Sequence, residues 1–292
     1  MHLLLKGFKH KKILHMKKYF LVTLLSFIFI AAQAQHQLVK LWETDSILKV
    51  PESVLYDGKN KVLYVSNIDG KEPWGKDGKG SVGKVGLDGK IITVDWVSGL
   101  NAPKGMGLFK NKLYVADLTE LVVIDVLKGE IIERIAIEGA VGLNDVSIGA
   151  KGVIYVTDSR ARRVYEIKDK KPAVLLDSSK LKGPNGVLKH KGNLYVLDAG
   201  SMYRMGKGKI LTKIAEGMEG GTDGIEHVTG DDFIVSTWSG VVYYVNADGS
   251  KQVMLDGRQQ KINSADIGYD AAKRIVYVPT FWKNSVVAYQ LK

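Results

Sequence analysis

Beyond residue 34 the apolar positions come in short runs rich in Val, Ile and Tyr, bounded by Gly, Asn, Asp or Lys, and no stretch sustains a 3.6-residue apolar period. Residues 61–67, 152–158, 163–167, 240–245 and 274–279 are of this kind. They predict strands, because β-branched and aromatic side chains suit a pleated surface between turn residues. Asp88-Gly89 and Asp248-Gly249 mark hairpin turns, since such pairs adopt the left-handed conformations a two-residue connection needs.

Two phrases recur along the chain in one register. The first is Pro51-Glu52-Ser53-Val54, Pro103-Lys104-Gly105-Met106, Leu143-Asn144-Asp145-Val146, Pro184-Asn185-Gly186-Val187, Thr222-Asp223-Gly224-Ile225 and, more faintly, Ser264-Ala265-Asp266-Ile267. Its second residue falls at 52, 104, 144, 185, 223 and 265, so the spacing is about forty residues after a longer first step. That first step contains an insertion, 69–81, rich in Gly and Lys. A second phrase follows each time, as in Leu63-Tyr64-Val65, Leu113-Tyr114-Val115 and Ile154-Tyr155-Val156. Each repeat holds about four strands; in the third they are expected at 144–148, 153–157, 163–167 and 173–176. Four-stranded units at this period predict an all-β fold, a six-bladed β-propeller. The sixth repeat ends after three strands, whereas residues 37–43 precede the first repeat as an orphan strand. That N-terminal strand is expected to pair into the last blade and close the ring, leaving few open edges.

Length and charge fit this once the N-terminus is set apart. Residues 16–34 have a basic start at Lys17 and Lys18, a 14-residue apolar run at 19–32, and Ala32 and Ala34 around a cleavage site. This is the pattern of a secretory signal peptide, and the run is short of the ~20 residues that span a bilayer. Met16 is then the expected start, 1–34 an upstream extension plus signal peptide, and 35–292 a single propeller domain. The protein is expected to be exported, periplasmic or secreted, with no stable membrane anchor. The formal charge of +11 includes six lysines of residues 1–34 and no acid from them, so +5 remains, scattered along the chain. No nucleic-acid stripe is left, and a monomer acting on a small molecule is expected. The absence of cysteine excludes disulfides, thiolate zinc sites and a thiol nucleophile. His36, His190 and His227 match no zinc spacing, so any metal would be held by oxygen.

In a propeller the starts of the innermost strands converge at one mouth of the axial channel. Those positions are Glu52, Lys104, Asn144, Asn185, Asp223 and Ala265. Two carboxylates and two carboxamides suit a hard cation such as Ca²⁺, which takes six to eight oxygens in loose geometry. Here the chain resembles the family of senescence marker protein (regucalcin), gluconolactonase and luciferin-regenerating enzyme, related to diisopropylfluorophosphatase, over roughly residues 45–290. The resemblance implies an axial Ca²⁺, or another divalent ion such as Zn²⁺, Mn²⁺ or Mg²⁺, held by Glu52, Asn144, Asn185 and Asp223. It departs from the family at Glu52-Ser53-Val54, where the family has Glu-Gly-Pro, and at Lys104, whose ammonium would repel a divalent ion nearby. Lys104 either leans off the axis to anchor an anionic substrate or pairs with Glu52 and Asp223 in place of a metal.

The resemblance implies a metal-dependent hydrolase of lactones or related esters. Asp223 is the expected general base or nucleophile. Lys104, Asp145, Trp238, Phe281 and Trp282 are the expected substrate residues, and Trp74, in the insertion, is either a lid or a solvated anchor. His227, on strand alternation from Asp223, is expected to be a hydrogen-bonded core histidine deeper in the channel. Two other readings stay open: a non-catalytic propeller of NHL type binding a protein or glycan, suggested by Tyr155-Val156-Thr157-Asp158-Ser159, and a metal-free propeller of strictosidine-synthase type.

Overall fold

The computed structural model describes residues 35–292; the expected signal peptide and start at Met16 lie outside the described residues. Six separate four-stranded antiparallel sheets make the protein an all-β, six-bladed propeller. In blades one to five, four consecutive strands run from the axis outward, with inner strands Pro51–Asp57, Pro103–Phe109, Leu143–Ile148, Pro184–His190 and Thr222–Thr229. The sixth blade is composite: Gly268–Asp270, Ile275–Pro279 and Val286–Leu291 are joined at the outer edge by Leu38–Glu43. The N-terminal strand therefore closes the ring as expected. Gln37 and Lys292 exchange backbone hydrogen bonds of 3.1 and 3.0 Å where the chain returns to its start.

The core lies between blades. Val62, Tyr64 and Val82 of the first blade pack on Met106, Leu113 and Val115 of the second, and equivalent clusters follow around the ring. Each such buried side chain contributes about 1.5–3 kcal/mol relative to exposure, and this is why the Leu-Tyr-Val phrase repeats.

The end of the second phrase does something different. Asp117, Asp158 and Asp198 end the second strands of blades two, three and four and accept the backbone N–H groups that precede the inner strand of the same blade. Asp117 takes those of Asn101 and Ala102, Asp158 those of Val141 and Gly142, and Asp198 those of Lys182 and Gly183. The buried carboxylates satisfy donors that would otherwise be orphaned, and so fix where each inner strand begins. The Tyr155–Ser159 phrase is thus part of the framework.

Candidate axial site

The first phrase folds into β-bulges. The register slips between Pro51 and Ser53, Pro103 and Met106, Leu143 and Val146, Pro184 and Val187, and Thr222 and Ile225. A bulge bends the strand and re-aims its side chains. Hydroxyls hold three of them: Ser66 Oγ accepts the Ser53 N–H, Thr157 Oγ1 that of Asp145, and Ser236 Oγ that of Gly224. Glycine is required where inner strands crowd at the axis. A Cβ on Gly186 would overlap the carbonyl oxygen of Asp223, and one on Gly105 would lie 2.6 Å from Asp145 Cα.

The bulges gather Glu52, Lys104, Asn144 and Asp223 as buried side chains at one end of the channel, with Asn185 partly buried. Three of the four expected ligand positions carry buried oxygens with no hydrogen-bond partner: Glu52 Oε2, Asn185 Oδ1 and Asp223 Oδ1. Asn144 is oriented by Nδ2, which donates to Ser159 Oγ at 3.0 Å. Unpartnered buried oxygens are rare in folded proteins and call for a partner, water or ion; two carboxylates and two carboxamides are a donor set that fits a hard divalent ion. It depends on the carboxamides, because no three His, Asp or Glu side chains among the described residues make a metal cluster by themselves.

Lys104 is the one buried basic residue among the described residues, at 2% exposure. Its Nζ lies 3.9 Å from Glu52 Oε1 and 4.3 Å from the Trp74 ring centroid. Burial lowers the lysine's pKa, and Glu52, Asp223 and Asp117 oppose that. Burial also raises the Glu52 and Asp223 carboxyls; Asp145 raises both further, while Lys104 pulls them back.

Trp74 brings the insertion over this mouth. It packs on Val50, Ile68, Ala102, Leu118, Ala265 and Phe281, with the Arg160 guanidinium 5.8 Å from its ring. Glu52 and Asp223 are 4% and 3% exposed, so the mouth is closed in this conformation. On the same face Trp238 and Trp282 are 45% and 44% exposed, and buried Phe281 contacts both edge-on at 5.9 and 4.7 Å.

Asp145 is drawn away from the mouth. Its Oδ1 accepts the Val146 N–H and its Oδ2 the Val187 N–H, each at 2.6 Å, tying blade three to blade four. It borders a channel cavity of about 160 Å³ beneath the ligand positions, together with Glu226 and Asp266. Sequence reasoning missed both of these. The sixth phrase placed Ala265 at the axis, but Ala265 packs in the apolar cluster under Trp74, and Asp266 is the residue bridged to Ser53, accepting its hydroxyl at 2.5 Å. The carboxylate in that phrase was the available signal.

Strand alternation also misplaced His227. The bulge at Asp223-Gly224 inserts a residue, so Glu226 faces the channel cavity while His227 stacks on His190 of the neighbouring blade at 3.8 Å. His227 does make a hydrogen bond, Nε2 to the Gly230 carbonyl at 3.0 Å, but at the blade surface.

No protein-family model matches the chain, and no curated protein matches it. Solved structures do. One provisionally assigned as a gluconolactonase shares 16% identity at a TM-score of 0.66, covering 89% of this chain and 93% of that one. A catalytically inactive virginiamycin B lyase from Staphylococcus aureus with quinupristin shares 12% at 0.61, covering 88% and 99%. A chain of the nidogen–laminin complex shares 16% at 0.62, covering 75% and 84%. These likenesses show the propeller fold. Function must come from the site, because the fold is shared by a lyase and by a chain of a protein complex.

Proposed function

We propose that the protein is a divalent-cation-dependent hydrolase, probed best with Ca²⁺, of lactones or related esters. The observation that carries the reading is the set of partnerless buried oxygens on Glu52, Asn185 and Asp223, at the positions the repeat marks out. With Asn144 they would hold the ion, which when bound supplies positive charge against the oxyanion that develops on an ester carbonyl. Asp223 is the general base: a carboxylate beside the bound ion can accept a proton from an attacking water. Lys104 binds a substrate carboxylate or hydroxyl. Trp238, Phe281 and Trp282 form a wall against a sugar or aryl ring, and Trp74 excludes bulk water. The gluconolactonase-like neighbour supports this at the level of fold.

A second reading, a propeller that binds a protein or glycan, is favoured by the closed mouth and by the likeness to the nidogen–laminin chain. Calcium binding and turnover of aldonolactones and aryl esters, compared with Asp223→Ala, separate the two. Chelator-sensitive hydrolysis lost in the variant supports the enzyme; metal-free, inactive wild type across the panel supports the binding module.

A further inference from the structure

The channel is heavily unbalanced in charge. Glu52, Asp145 and Asp223 are buried, Asp266 and Glu226 are partly so, and Lys104 is the only buried base among the described residues. An uncompensated buried carboxylate is costly, so it either takes up a proton or keeps a cation beside it, and Lys104 is the cation placed beside Glu52. Lys104 is built for that. Its Nζ sits between two seats, Glu52 Oε1 at 3.9 Å and the face of Trp74 at 4.3 Å. Carboxylate and ring attract an ammonium by different means, charge in one case and the ring quadrupole in the other.

We propose that Lys104 is a tethered counter-ion that competes with the divalent cation for Glu52 and Asp223, and that the Trp74 ring is the seat to which its ammonium retires when the cation enters. This rests on the metal reading of the site. It makes Lys104 and Trp74 determinants of cation affinity without being ligands. It also couples cation loading to the 69–81 cover, because the ring that receives the ammonium belongs to that cover. A divalent ion on Glu52 and the Lys104 ammonium beside that carboxylate would repel each other even at an effective dielectric near 20, so the tether weakens cation binding. The Trp74 face recovers part of that loss.

The test is calorimetric titration of Ca²⁺ into chelator-stripped protein, with melting temperatures in chelator and in calcium. Lys104→Met is expected to bind Ca²⁺ at least about tenfold more tightly than wild type, to melt lower in chelator, and to gain more from calcium. Trp74→Leu, a change in a half-buried loop residue, is expected to bind about three- to tenfold more weakly, as loss of one cation–π contact implies. Equal or weaker binding by Lys104→Met overturns the counter-ion inference and leaves the metal reading standing. If Lys104→Met does not fold even in excess calcium, Trp74→Leu decides, and unchanged affinity there overturns the inference. Absence of calcium binding and of any calcium-dependent melting shift in all three proteins overturns both.

Discussion

Asp158→Ala is the sharpest probe of how the framework holds the site. The Asp158 carboxylate accepts four backbone N–H groups: Val141 at 2.8 Å, Gly142 at 3.0 Å, Arg160 at 3.1 Å and Ala161 at 2.7 Å. Hydrogen bonds to a charged acceptor contribute about 1.5–3 kcal/mol each, and a buried donor left unpaired costs a similar amount. Val141 and Arg160 are exposed enough to recover water, whereas Gly142 is buried and Ala161 partly so. The expected loss is therefore about 3–5 kcal/mol, carried by two donors, out of the ~5–15 kcal/mol that a folded protein has in hand. Urea denaturation gives this as a lowered midpoint at unchanged slope. Asp158→Asn, which keeps one acceptor oxygen, should lose about half as much. Ser159, which follows, orients Asn144 and donates to the Pro184 carbonyl at 2.7 Å, so calcium affinity should fall by about tenfold in Asp158→Ala. A stability loss below about 1 kcal/mol would refute the clamp, and undiminished calcium affinity would refute its link to the site.

Gly186→Ala should destabilise by about 1–3 kcal/mol, as overpacking does, and weaken calcium binding, because the added methyl displaces Asp223 backbone; calorimetry and urea melts read both. Burial, with Asp145 adding to it, pushes the Glu226 carboxyl up from 4.5 to about 8. Between those values the folded protein keeps a proton the unfolded chain has released, so stability falls as pH rises through that window. Glu226→Gln should flatten that fall in a pH series of melting temperatures, and an unchanged profile would count against it. Deleting residues 35–44 removes the outer strand of the sixth blade and bares the edge of Val286–Leu291; loss of a single cooperative melt and concentration-dependent aggregation are expected by calorimetry and light scattering.

Much of this molecule was legible in one dimension. A blade cannot bury its faces alone, so each repeat must carry the same apolar pattern, and two phrases in register were enough to count six blades. The composite sixth blade followed from an unpaired strand at one end and a missing one at the other. The axial polar residues were legible for the same reason: repeat position fixes depth in the ring, and Glu52, Lys104, Asn144 and Asp223 are buried there.

Tertiary structure decided what period-two reasoning cannot reach. A bulge adds one residue and reverses the faces beyond it, so Glu226 replaced His227 in the channel; in the sixth blade the phrase lies ahead of the inner strand, and Asp266 rather than Ala265 bridges to Ser53. Direction decided Asp145, whose carboxylate turned to two amide donors that lie 1 and 42 positions away in sequence. The cover over the mouth was likewise beyond the sequence, because a loop's landing place depends on the surface that receives it. Trp74 lands on Phe281 and Ala265 of the last blade and on Lys104 of the second, joining residues that only closure of the ring brings together.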